Sequence, residues 1–213
     1  MQILITGAAG FIGFNLSNYI LRKSNVKIIG IDSLNSYYSK KLKKESIKKI
    51  SKNKKFSFFH VNILNKKKLE KIFKNNKIDL VINLAAQAGV RYSLEKPNEF
   101  VDNNIQGFYT LIDVAKKYKT KKIIYASSSS IYGDSKKFPL NETQNVMPKN
   151  IYALSKKINE EMAEVFSRQY NITFIGLRFF TVYGEWGRPD MFMMKYLTSS
   201  YNQKINFYLN NYG

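Results

Sequence analysis

Tyr152 and Lys156 stand four residues apart in Tyr152-Ala153-Leu154-Ser155-Lys156. In a helix that spacing is about one turn, so both side chains share a face. A free tyrosine titrates near pH 10, about three units too high for a base at neutral pH. A neighbouring ammonium stabilises phenolate and lowers that value, which turns the pair into a candidate general base. By itself such a pair is also compatible with a solvated helix face. A second group with chemistry is the run Ser127-Ser128-Ser129-Ser130, which follows the apolar stretch Lys122–Ser127. A serine at the C-terminal end of a parallel strand can hydrogen-bond a ligand hydroxyl. The plainer alternative is a polar loop capping the next segment.

The third group is Gly7-Ala8-Ala9-Gly10-Phe11-Ile12-Gly13, between an apolar run and an amphipathic one. Glycines let the backbone turn tightly and approach a pyrophosphate, and the helix N-terminus offers free N–H groups. Asp32 lies at the end of the next apolar run. Its carboxylate suits the hydroxyls of an adenosine ribose and repels a 2′-phosphate, which favours NAD over NADP. A structural turn with a surface aspartate is the alternative.

These groups need a scaffold. Strands are expected at Gln2–Thr6, Lys27–Ile31, Phe56–Val61, Leu80–Leu84, Lys122–Ser127 and Thr173–Leu177, where β-branched and aromatic residues run almost continuously. Helices are expected between them at Phe11–Arg22, Lys41–Ile50, Lys66–Phe73, Glu99–Tyr118 and Asn150–Tyr170. This alternation predicts an α/β fold, a Rossmann-like doubly wound parallel sheet. Its first and fourth strands end beside a shared crevice. Arg178–Asp190 reads as a loop, Met191–Tyr201 as a short helix and Ile205–Leu209 as a strand fragment. Two units follow: 1–177, which binds the cofactor and carries the Ser/Tyr/Lys set, and 178–213, the incomplete start of a smaller substrate-binding domain.

Composition narrows the function classes. Of 213 residues 44% are hydrophobic, enough for a sizeable core. There is no cysteine and one histidine, His60, so disulfides and thiolate sites are excluded and a metal centre is not expected. No apolar run approaches the roughly 20 residues of a membrane helix, and Met1 leads into Ile3-Leu4-Ile5 without a basic leader. A cytoplasmic protein without a membrane partner is the expectation. The net charge of +20 raises nucleic acid as a partner. Its lysines are spread over Lys40–Lys55, Lys66–Lys77 and Lys116–Lys122, on outer faces of expected helices. No nucleic-acid-binding signature accompanies them, so no nucleic-acid partner is expected.

In this order the motifs resemble those of the extended short-chain dehydrogenase/reductase superfamily, within it most nearly the UDP-glucuronate 4-epimerases of capsular polysaccharide synthesis. The resemblance runs along essentially the whole chain. Its most specific stretches are Leu84-Ala85-Ala86-Gln87-Ala88-Gly89-Val90-Arg91-Tyr92-Ser93, Tyr125-Ala126-Ser127-Ser128-Ser129-Ser130-Ile131-Tyr132-Gly133 and the segment from Leu177 to Met191. It implies a catalytic set of Ser128, Tyr152 and Lys156. It implies NAD contacts from Gly7, Gly10, Phe11, Ile12, Gly13, Asp32, Asn35, Ser36, Asn62 and Ile63. Leu84, Ala85, Ala86, Gln87, Asn103 and Phe180, with Tyr152 and Lys156, complete that set. A UDP-sugar would meet Arg91, Ser128, Ser129, Ser130, Tyr152, Thr181 and Arg188.

The implied reaction oxidises C4 of the sugar, lets the 4-keto intermediate rotate, and reduces it from the other face. NAD is regenerated and acts as a held cofactor. Relatives that dehydrate usually carry an acid two positions after the catalytic hydroxyl, where this chain has Ser130. A guanidinium at Arg188 can grip a uronate carboxylate by paired hydrogen bonds, which favours UDP-glucuronate. The alternative is that Arg188 pins its own loop. UDP-glucose and N-acetylhexosamine 4-epimerases, and an inactive NAD-binding fragment, remain as other functions. Two positions depart from the pattern: Asn62 stands where an aspartate is usual, and Glu185 replaces a proline. Such proteins continue beyond the position of Gly213, so the chain resembles a shortened one, and they pair as homodimers through helices like Glu99–Tyr118 and Asn150–Tyr170.

Overall fold

The computed structural model describes residues 1–202; the strand fragment expected at Ile205–Leu209 lies outside them. Six parallel strands form one sheet: β1 (Gln2–Thr6), β2 (Lys27–Asp32), β3 (Phe56–His60), β4 (Leu80–Asn83), β5 (Lys122–Ser128) and β6 (Thr173–Phe179). Their spatial order is β3-β2-β1-β4-β5-β6, a Rossmann-like arrangement. The order reverses between β1 and β4, which pair from Ile3↔Leu80 to Thr6↔Asn83. The crevice expected beyond those two strand ends therefore exists.

Side-chain alternation along each strand divides the core in two. Leu4, Ile29, Ile31, Val81 and Ile123 face one layer with Leu69 and Phe73, Phe108 and Leu111, and Ala163. These last residues come from α3 (Lys66–Asn75), α6 (Gly107–Lys117) and α7 (Ile151–Tyr170). Ile3, Ile5, Ile28 and Ile82 face the opposite layer with Phe14, Leu21 and Ile50. There α1 (Phe11–Lys23) and α2 (Lys40–Ile50) cover the sheet. Burial on both faces is why the strand sequences read as apolar runs. Phe108 is 1% exposed, and its ring centroid lies 5.3 Å from that of Tyr125. Phe108→Ala is expected to cost about 3–5 kcal/mol through lost burial and a residual cavity, read as a lower urea midpoint at unchanged m-value. A loss below about 1 kcal/mol would mean that this layer collapses around the gap.

Three differences from the sequence reading have physical causes. The long helix expected at Glu99–Tyr118 is α5 (Pro97–Phe100), a π-helical segment (Val101–Gln106) and then α6. The wider turn presents Asn104 inward, where its amide accepts from the Gln87 N–H at 2.7 Å and donates to the Gln87 carbonyl at 3.0 Å. A short helix, α4 (Val90–Glu95), occupies a stretch without an expected element. Finally, β6 runs two residues beyond the expected strand because Ser127 and Ser128 pair with Arg178 and Phe179. Arg178 therefore belongs to the sheet rather than to the following loop. The helix expected at Met191–Tyr201 is α8 (Phe192–Asn202). Among the described residues no helix is long and apolar enough to cross a membrane.

Candidate functional site

A cleft of about 700 Å³ opens along the C-terminal ends of the strands, a size typical of ligand sites. One wall is the turn from β1 into α1. Gly7 holds φ +68°, and a Cβ there would lie 2.8 Å from the Ala85 nitrogen. Gly13 sits under the same turn, where a Cβ would come within 2.2 Å of the Gly7 carbonyl oxygen. No side chain caps α1 at Gly10, and Gly10, Phe11, Ile12 and Gly13 line the cleft. The helix thus turns its N-terminal N–H groups and its positive end toward an anion there.

Asp32 closes the neighbouring corner. Its carboxylate accepts the Ala9 N–H at 3.1 Å and the Leu34 N–H at 2.7 Å. Burial raises its pKa, against those two hydrogen bonds and nearby Lys43. Each oxygen keeps a second lone pair for a ligand hydroxyl. Lys43, which sequence reasoning missed, is 5% exposed and lines the cleft beside it. Its ammonium donates to the Asn35 side chain at 2.6 Å and lies 4.3 Å from the Tyr38 ring centroid. Lysines crowd α2, so nothing in the sequence singled this one out.

Tyr152 lies in the first turn of α7, after the Asn150 cap, whose side chain accepts the Ala153 N–H at 2.9 Å. Its ring meets Phe100 edge-on at 6.0 Å. One turn on, Lys156 is 4% exposed, and its ammonium donates to the Ala126 carbonyl at 2.8 Å. Burial lowers its pKa to about 8. Ser128 ends β5, and its hydroxyl oxygen accepts the Ser130 N–H at 3.1 Å. That bond realises the capping alternative and still leaves the hydroxyl proton free to donate. Ser128, Ser129, Ser130, Tyr152 and Lys156 all line the cleft.

Every other candidate from the sequence lines it too, with one exception. Asn35, Asn62, Ile63, Leu84, Ala85, Ala86, Gln87, Asn103, Phe180, Arg91, Thr181 and Arg188 are present. Ser36 is exposed, and Tyr37 and Tyr38 take the cleft side of its loop instead. The Asn62 oxygen accepts the Leu64 N–H at 2.9 Å, so the local turn already uses it. His60 ends β3, with Nε2 at 2.9 Å from the Ser33 carbonyl. No cluster able to hold a metal ion occurs among the described residues.

In the loop after β6, Arg188 both lines the cleft and contacts its own segment. Arg188 pairs in a fork with Asp190, at 3.1 and 2.9 Å. The Tyr37 hydroxyl donates to the same carboxylate at 3.0 Å, which joins the two lips of the cleft. Burial and the Asp190 carboxylate push the Tyr37 pKa to about 12, against the pull of Arg188. Despite Glu185 replacing a proline, the loop is anchored: Asn15 donates to the Glu185 carbonyl at 3.0 Å, and Trp186 packs 5.0 Å from Phe14.

Residues 3–210 match the family described as NAD dependent epimerase/dehydratase. The chain belongs to that family. Among its relatives, Protein CapI of Staphylococcus aureus is 45% identical over 98% of this chain and 62% of its own length. UDP-glucuronate 4-epimerase 4 of Arabidopsis thaliana is 41% identical over 90% of this chain and 44% of its own. The crystal structure of UDP-glucuronic acid 4-epimerase from Bacillus cereus, in complex with UDP-glucuronic acid and NAD, superposes with a TM-score of 0.90 at 35% identity. That match spans 96% of this chain and 64% of the solved one. The chain thus spans less than two thirds of these epimerase/dehydratase relatives.

Proposed function

We propose that this chain is the cofactor-binding and catalytic portion of an NAD-dependent UDP-sugar 4-epimerase that interconverts UDP-glucuronate and UDP-galacturonate. One observation carries the reading: Ser128, Tyr152 and Lys156 line the same cleft as the open N-terminus of α1 and Asp32. The residues fit a dinucleotide, since the space over Gly7 and Gly13 tolerates no side chain and an uncapped helix end favours a pyrophosphate. NAD held there would supply the acceptor, and in its reduced form the donor, of the hydride exchanged at C4.

The chain's own groups manage the proton and the fit. Tyr152 removes the C4 hydroxyl proton and later restores it. Lys156 supplies positive charge that favours phenolate, and Ser128 steadies the hydroxyl between them. Ser129, Ser130, Thr181 and Arg188 receive the uronate carboxylate, and Arg91 contributes at the mouth. Because Arg188 already holds Asp190, the substrate carboxylate takes over that fork and Asp190, 37% exposed, turns to water. The exchange keeps Arg188 paired with one carboxylate throughout. The substrate-binding unit begins after β6, past Phe179, rather than at Arg178, because Arg178 and Phe179 pair with β5. Exposed Val101, Tyr109, Leu154 and Val165 on the helices of one layer support a homodimer.

The decisive experiment supplies the purified chain with NAD and UDP-glucuronate, and assays UDP-galacturonate chromatographically alongside bound NAD. Product with NAD recovered in oxidised form is expected. Product from UDP-glucose alone would reassign the sugar. Bound NAD without product would limit these residues to the cofactor half of the enzyme.

A further inference from the structure

Behind the cleft, four elements meet on one ion pair. Glu160 lies on α7, one turn past Lys156 and two turns past Tyr152. Its Oε1 accepts the Ser127 hydroxyl at 2.6 Å and Arg178 Nε at 3.0 Å. Its Oε2 accepts Arg178 Nη2 at 2.9 Å. The remaining arm of Arg178, Nη1, donates to the Tyr132 hydroxyl at 3.0 Å and the Glu142 carbonyl at 3.1 Å. The guanidinium also lies 5.0 Å from the Tyr132 ring centroid. Burial raises the Glu160 pKa, but the hydrogen bonds from Arg178 and Ser127 outweigh it and hold the carboxyl below its usual range.

Stability is a weak reason for such a partly buried pair: exposed pairs contribute little, and apolar replacements of buried ones are often neutral or stabilising. Location is a better one. Ser127 precedes Ser128 on β5, Tyr132 ends the 3₁₀ turn that Ser128 caps, and Glu160 sits on the helix of Tyr152 and Lys156. Glu160, Arg178, Tyr132 and Glu142 do not line the cleft, so they touch the proposed chemistry only through their neighbours. A planar fork fixes angle as well as distance, which a lysine cannot do.

We propose that Glu160 and Arg178 are positioning residues, which hold the Tyr152 helix in register with the Ser128 strand end. The proposal rests on the catalytic roles given above. A displacement of about 1 Å in such a set costs on the order of 100-fold in rate.

The test is Arg178→Lys, which keeps the charge and loses the fork, beside Glu160→Gln, which keeps both acceptor and shape at one oxygen. In the NAD-loaded chain, Arg178→Lys is expected to lower kcat about 10- to 100-fold, with KM and bound NAD near wild type. Glu160→Gln is expected to lose less. Equal kcat per NAD-loaded chain, or a loss confined to melting temperature, would overturn the proposal. A second measurement does not depend on turnover. With 3-fluorotyrosine incorporated, the Tyr152 ¹⁹F resonance, assigned from Tyr152→Phe, should move in Arg178→Lys while that of exposed Tyr19 stays. An unmoved Tyr152 resonance would overturn the positioning role. A wild-type chain without product would instead count against the epimerase reading.

Discussion

Tyr152→Phe is expected to lower the proposed formation of UDP-galacturonate by about 10²- to 10⁴-fold, the usual range for a lost general base, with bound NAD at the wild-type level. The variant removes one oxygen and keeps the ring, so the edge contact with Phe100 persists. The bond from Ser155 to the Tyr152 carbonyl, at 2.7 Å, is also untouched. Folding and cofactor retention should therefore survive. The pH profile carries a related signature. Lys156, with its pKa lowered to about 8 by burial, is charged below that value and neutral above it. Its positive charge beside Tyr152 fades as pH rises through about 8. Turnover of the wild type should therefore decline on an alkaline limb near 8 rather than near 10.5. Undiminished turnover in Tyr152→Phe would remove the residue from the chemistry. Joint loss of NAD and turnover would instead assign the hydroxyl to cofactor binding.

Gly13→Ala is the second large effect. The new Cβ would stand 2.2 Å from the Gly7 oxygen and 2.9 Å from the Ala8 Cα, both backbone atoms that cannot swing aside. Helix α1 must then retreat from the β1 turn, which opens the phosphate cradle. Overpacking of this kind costs about 1–3 kcal/mol or more, and NAD occupancy should fall at least about tenfold, equivalent to some 1.4 kcal/mol. Denaturant unfolding and cofactor content measure the two effects separately. Gly10→Ala is the control for the unfolding measurement alone, because its Cβ would meet the Gly7 oxygen at 3.1 Å and needs only a small shift. Equal NAD content in Gly13→Ala and wild type would refute the assignment of this turn to the pyrophosphate.

Local signals carried much of the architecture and the site. The strands were legible because burial on both faces demands apolar runs, and the glycine turn because its backbone excludes side chains. Tyr152 and Lys156 were legible because helical spacing alone puts them on one face. Serine chemistry was only half legible: the run was visible, but not that Ser127 turns toward Glu160 while Ser128 caps the turn at the cleft. The resemblance also implied Ser36, which does not line the cleft; its loop presents the neighbouring Tyr37 and Tyr38 there instead.

By itself, then, the sequence determined the strand-helix alternation, the turn before α1, the acid at Asp32 and the helical Tyr/Lys pair, because each depends on backbone geometry over a few neighbouring residues. Tertiary structure alone decided which charges meet. Lys117 of α6 meets Glu70 of α3, Lys43 among many lysines reaches the cleft, and Arg178 joins Glu160 because β6 pairs with β5 in a register that carries it to the strand ends. Those pairings depend on distances between elements far apart in the chain, and no local pattern encodes them.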